Sequence, residues 1–140
     1  MATDDKRIAE AVSGLDCDIA MTSSEIPTGT DRCFAAVKDS DADIIVNIQG
    51  DEPLVEGWII DKLIEPLIAE SALEMATLAT SMGSQENLIK NSFAKVVVNN
   101  CNEAIYFSRL PIPFTRKDFV DDGSSLKHIG LYAYLSLIHI

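Results

Sequence analysis

The sequence predicts a doubly wound, mostly parallel α/β sheet followed by a strand-rich extension. Three observations carry that expectation. Helix-like and strand-like apolar patterns alternate through the first half of the chain, the arrangement that produces layered α/β domains. The run Ala42-Asp43-Ile44-Ile45-Val46-Asn47-Ile48 is dominated by β-branched residues and reads as a strand covered on both faces, placed at the centre of a parallel sheet. The second half supplies short apolar runs separated by turn residues.

Taken in order, Ile8, Ala9, Val12 and Leu15 follow helical spacing after Asp4-Asp5, and Gly14 supplies a stop, predicting a helix of about three turns. Cys17 to Met21 reads as a short buried strand, and Thr22 to Thr30, with Pro27 and Gly29, as a loop. Asp31 to Lys38 predicts a second helix before the 42–48 strand. Beyond Gln49-Gly50-Asp51-Glu52-Pro53, the residues Trp58, Ile59, Leu63, Ile64, Leu67 and Ile68 repeat at helical intervals, with Pro66 expected to kink or break the helix. Ala76–Met82, Ala94–Val98, Ala104–Ser108 and Ile129–Tyr134 read as strands, the last two separated by a loop-rich stretch holding Pro111, Pro113 and Gly123. The first recognisable element is a helix, where a doubly wound sheet ordinarily opens on a strand and a phosphate-binding turn, and the run Leu131–Ile140 stays apolar to the terminus. Residues 1–140 are therefore read as part of a single domain that lacks both ends.

Composition narrows the function classes. At 140 residues with 47% apolar content the chain is long enough for a hydrophobic core. A formal charge of −11, from 22 acidic against 11 basic residues, disfavours nucleic acid and anionic membranes as partners. A nucleotide is still compatible, because a divalent cation between carboxylates and phosphates reverses the sign locally. Cys17, Cys33 and Cys101 are odd in number and widely spaced, so free thiols in a reducing compartment are expected rather than a disulfide framework or a zinc site. No apolar run reaches membrane-spanning length and the opening residues do not form a signal sequence, which points to the cytoplasm and to no membrane insertion.

Four segments could carry chemistry. The strand-like run delivers Gln49-Gly50-Asp51-Glu52-Pro53 to the carboxyl edge of the sheet, where ligands of open α/β folds collect. Asp51 is the first candidate for a Mg²⁺ ligand, against the plainer reading of an acidic helix cap. Pro27-Thr28-Gly29-Thr30-Asp31-Arg32 suits an anionic ligand at a helix entrance; its plainer reading is a cap made by Thr30 with Arg32 in a surface ion pair. Arg109, directly after a strand expected to be buried, has a fork matched to a sugar carboxylate. Alternation places His128, Gly130 and Tyr132 on one strand face, where His128 and Tyr132 could line a pocket together; His139 lies beyond the pattern and takes no role.

Ala-Thr-Asp-Asp at 2–5, Thr-Gly-Thr-Asp-Arg at 28–32, Val-Asn-Ile-Gln-Gly-Asp-Glu-Pro at 46–53, Tyr-Phe-Ser-Arg at 106–109 and His-Ile-Gly-Leu-Tyr at 128–132 occur in one order. Together they resemble the 3-deoxy-manno-octulosonate (Kdo) cytidylyltransferases, or CMP-Kdo synthetases, from the second residue to about Tyr134. The resemblance implies a sheet of the nucleotide-diphospho-sugar transferase type and a cytoplasmic, Mg²⁺-dependent enzyme. That enzyme would join CTP and Kdo into CMP-Kdo and pyrophosphate for lipopolysaccharide or a plant cell-wall polysaccharide, as a homodimer when full length. Carried over residue by residue, it implies Asp51 as the metal ligand, Gln49, Arg109, His128 and Tyr132 around the sugar, and Thr30 with Arg32 near the nucleotide.

The family's N-terminal strand and its Arg- and Lys-containing triphosphate loop have no counterpart here, nor does its downstream acidic motif. Ser136–Ile140 departs from the family's pattern beyond the His-Ile-Gly-Leu-Tyr strand, and Thr28 stands where serine is commoner. The isolated chain is therefore expected to have little or no transferase activity. Two other readings compete. One is a cytidylyltransferase for another acidic sugar such as sialic acid, against which the acidic Gln49–Pro53 segment argues. The other is a non-catalytic α/β binding module.

Overall fold

The computed structural model describes residues 1–114 and 124–136. It divides into two compact units, the first comprising Met1–Ala76 with the segment from Ala133 onward, the second Thr77–Tyr132.

The first unit opens on a strand, β1 (Ala2–Thr3), which pairs in parallel with β2 (Ala20–Met21) through Ala2↔Ala20 and Thr3↔Met21. This corrects the expectation that the chain begins with a helix; two residues carry no readable period, and only the pairing reveals the strand. Strand β2 is likewise shorter than the apolar run 17–21 suggested. Between them, α1 (Lys6–Val12) is capped by Asp5, whose carboxylate accepts the Arg7 amide at 2.8 Å. It stops short of Leu15, because Ser13 Oγ donates to the Glu10 carbonyl at 2.8 Å and the chain turns away.

Helix α2 (Gly29–Val37) starts two residues earlier than its pattern predicted, and its cap is Thr28 rather than Thr30. Thr28 Oγ1 accepts the Asp31 amide at 3.1 Å and donates to Asp31 Oδ2 at 2.6 Å. Both α2 and α3 (Gly57–Ala69) lie against β3 (Ile44–Asn47). Among the described residues β3 pairs with β7 (Leu126–Leu135) and ends that hydrogen-bonding order, a correction to its expected central place. The Asp43 carbonyl beside it accepts the Ser136 amide at 2.9 Å.

Pro66 does not break α3: the missing N–H falls on an exposed stretch, and the Glu70 amide closes the helix on the Pro66 carbonyl at 3.0 Å. Leu63 and Leu67, one turn apart, are the buried face of α3. Trp58 near its start is 61% exposed, its indole donating to Glu56 at 3.2 Å.

The second unit is the strand-rich part. Strand β5 (Lys95–Val98) pairs antiparallel with both β6 (Ala104–Ser108) and β7, through Lys95↔Ser108 and Lys95↔Lys127. Strand β4 (Met75–Ser81) pairs β7, and its chain continues into α4 (Gln85–Ile89). The sequence pattern gave no sign of α4, whose five residues hold too little periodicity; Ser84 caps it by accepting the Asn87 amide at 3.2 Å. Met82, Leu88, Lys95, Val96 and Leu131 are buried in this unit.

Strand β6 corrects a further expectation. It is exposed rather than buried, with Ile105 67% and Tyr106 59% accessible, because among the described residues it ends the hydrogen-bonding order. Gly123 and most of the predicted loop before β7, like the last four residues of the predicted atypical tail, lie outside the described residues.

Candidate active site

In the first unit the carboxyl end of β3 runs into a turn in which the Glu52 amide donates to the Gln49 carbonyl at 3.1 Å. Gln49 is half-buried, and its amide fills the space beside Gly29 at the α2 entrance: a Cβ on Gly29 would lie 3.4 Å from Gln49 Oε1. Two of the segments singled out in the sequence, Thr28–Arg32 and Gln49–Pro53, therefore meet. Asp51 projects into solvent from this turn, and its carboxylate makes no hydrogen bond or ion pair with the described residues. Beside it, no described atom comes within 4 Å of where a Gly50 side chain would start, which leaves the backbone open to a ligand.

Asn47 went unremarked in the sequence. It is 7% exposed at the end of β3, and its side-chain amide nitrogen has no hydrogen-bond partner among the described residues. An asparagine inside a run of β-branched residues was the signal that could have marked it. Thr30 is half-buried in the first turn of α2. Arg32 is already engaged: its guanidinium donates to Thr22 Oγ1 and to the Ser23 carbonyl, and pairs with Asp4 at 3.4 Å. The ion pair considered at the sequence level is thus present.

A metal fits the chemistry of Asp51, since an unpartnered, exposed carboxylate is the hard oxygen donor Mg²⁺ takes. Among the described residues no cluster of three or more His, Cys, Asp or Glu side chains surrounds it, so a cation there would complete its shell with water and ligand oxygens.

The second unit brings His128 and Tyr132 together as the alternation required, with ring centroids 5.5 Å apart. Phe107 meets His128 edge-on at 4.9 Å. Thr77 Oγ1 lies 2.8 Å from His128 Nε2 and 2.8 Å from the Leu131 carbonyl. Two oxygens at that separation need a proton between them, so the single hydroxyl proton of Thr77 goes to Leu131 and His128 must donate from Nε2. Nδ1 is then the acceptor nitrogen of the neutral ring. Burial pushes the His128 pKa below its ordinary value, which keeps the ring neutral near pH 7.

Arg109 is exposed, with Nη1 donating to the carbonyls of Asn91 and Ser92 at 3.0 and 3.2 Å. The structure thus gathers Gln49 with the α2 entrance and His128 with Tyr132, while Arg32 and Arg109 are held by nearby groups. All three cysteines are free, with burial raising the Cys33 thiol pKa. No helix among the described residues is long and apolar enough to cross a membrane.

The first unit thus offers an exposed carboxylate after a strand, and the second a face shared by a histidine and a tyrosine. The family model described as cytidylyltransferase matches residues 1–137, and the chain belongs to that family. It is 47% identical over 137 residues to the 3-deoxy-manno-octulosonate cytidylyltransferase of Bdellovibrio bacteriovorus, covering 96% of this chain and 55% of that protein. The protein of the same description from Geobacter metallireducens is 43% identical over 143 residues, with 96% and 56% covered. Among solved structures, one described as CMP:2-keto-3-deoxy-manno-octonic acid synthetase complexed with CTP matches with a TM-score of 0.86 at 38% identity, over 96% of this chain and 55% of that one. The chain spans about half the length of the curated relatives it matches.

Proposed function

We propose that this chain forms part of an enzyme that transfers the cytidylyl group of CTP to Kdo, giving CMP-Kdo and pyrophosphate. The observation that carries the reading is the likeness, across 96% of the chain, to Kdo cytidylyltransferases and to a synthetase structure holding CTP. In the reaction a sugar hydroxyl oxygen bonds to the α-phosphorus, the bond from that phosphorus to the β-phosphate bridge breaks, and the hydroxyl proton is lost. Substrates and product are anions, so the work of the protein is to neutralise charge and fix the line of attack.

Asp51 would hold Mg²⁺, which when bound would supply charge neutralisation at the phosphates. Thr30 and Arg32 would serve the nucleotide from the α2 entrance, and Gln49 the sugar. Arg109 would offer its fork to the sugar carboxylate. His128, with Nε2–H committed to Thr77, would accept a sugar hydroxyl at Nδ1 beside Tyr132. A cytoplasmic location, a homodimeric full-length protein and a place in lipopolysaccharide assembly belong to the same reading.

The test is a chimera in which this chain replaces the matching residues of the Bdellovibrio protein, assayed for CTP- and Kdo-dependent pyrophosphate release with Mg²⁺. Release is expected from the chimera and at background from the 140-residue chain alone. Asp51→Ala is expected to lower it by about a hundredfold or more, the scale for removing one preorganised electrostatic group. An Asp51→Ala chimera as active as its parent would remove the metal role. A folded chimera that uses N-acetylneuraminate in place of Kdo, or neither sugar, would overturn the proposed substrate.

A further inference from the structure

Lys95 is fully buried, and among the described residues no carboxylate forms an ion pair with it. It sits in β5 between Ser108 of β6 and Lys127 of β7, and its ammonium donates to the carbonyls of Lys90 at 2.6 Å, Phe93 at 3.1 Å and Arg109 at 2.8 Å. These bonds use all three of its N–H groups. An aliphatic side chain would fill the same space without the cost of desolvating a charge, so packing alone does not account for a lysine here.

The identity of the three carbonyls is informative. One belongs to Arg109 and fixes the backbone from which that side chain starts. The other two flank Asn91 and Ser92, whose carbonyls receive the Arg109 guanidinium. Both ends of the Arg109 side chain are therefore referenced to one ammonium. The docking occupies Nη1 only, and no hydrogen bond from the described residues uses Nε or Nη2, the edge that takes a carboxylate side-on. Neither cation belongs to an ion pair among the described residues.

We propose that Lys95 is a positioning residue for Arg109, holding the Nε–Nη2 edge of the guanidinium in the orientation that receives the sugar carboxylate. The proposal rests on the reading of Arg109 as a ligand of the sugar acid, and the experiment separates the two. In the chimera, Arg109→Gln reports on the ligand role. Lys95→Met, which keeps an unbranched stem and removes the donors, reports on positioning. Each is expected to raise KM for Kdo about tenfold or more, the scale of a displaced binding group, with KM for CTP within about twofold of its parent.

On the ¹⁵N-labelled 140-residue chain, the Arg109 Nε–H resonance is expected to be ordered in the parent and mobile in Lys95→Met. If Arg109→Gln raises KM for Kdo and a folded Lys95→Met does not, the positioning role is overturned and the ligand reading stands. If Arg109→Gln leaves KM for Kdo unchanged, the ligand reading falls and the proposal with it. Should Lys95→Met fail to fold, the parent chain decides: an ordered Arg109 Nε–H supports the proposal, and one as mobile as a solvated surface arginine overturns it.

Discussion

A half-buried imidazole already committed to one hydroxyl is a poor place for a second proton. Because burial lowers the His128 pKa, the unfolded chain binds a proton at a higher pH than the folded one does. The folded state is then favoured fully above the unfolded value of about 6.5 and loses that advantage as pH falls through the lower folded value. Denaturant unfolding followed by circular dichroism is expected to show stability falling on acidification below about pH 6.5, with the slope reduced in His128→Asn. An identical slope in that variant would remove His128 as its source. The pairing of His128 with Tyr132 was legible, since strand alternation alone puts both on one face. Its Thr77 partner was not, because residues 51 positions apart in sequence become neighbours only through strand pairing.

At the scale of elements, the turn joining β5 to β6 shows how side-chain chemistry fixes a connection. Asn99 Oδ1 accepts the amides of Cys101 and Glu103, both at 2.9 Å, and Asn102 adopts a left-handed backbone with φ of 61°. Asparagine tolerates that region through its short polar side chain, whereas a β-branched residue does not. Asn102→Val is expected to cost about 1–2 kcal/mol in denaturant unfolding and Asn102→Gly close to none. Equal stability of the two variants would show that the turn relaxes to another conformation. The longer elements were legible where period and length agreed, as in α3 and β4. Caps were misplaced by two residues at α2, because Thr28 and Thr30 offer the same hydroxyl chemistry and only backbone geometry distinguishes them.

Across the whole molecule, many large apolar side chains face solvent in both units. Leu54 is 88%, Ile68 70%, Ile105 67%, Leu110 67% and Phe114 84% exposed. Surface of this kind, together with the edge of β6 that no described strand pairs, favours self-association. Light scattering of the 140-residue chain is expected to rise with concentration, and Ile105→Lys to reduce it. A monomer at all concentrations would show that these groups do not drive association. The α/β class was readable from pattern because alternating periods are local properties of the chain. The strand order was not: β3 read as central from its composition, yet pairing among the described residues places it beside β7 at the end of the order, and no local signal encodes a neighbour that distant.

Trp58 sets what an optical probe can see. It is the single tryptophan of the chain, it lies in the first unit, and much of its ring is in water. Indole emission will therefore start red-shifted and change little when α3 opens, while the second unit, which has no tryptophan, can melt without any change in indole emission.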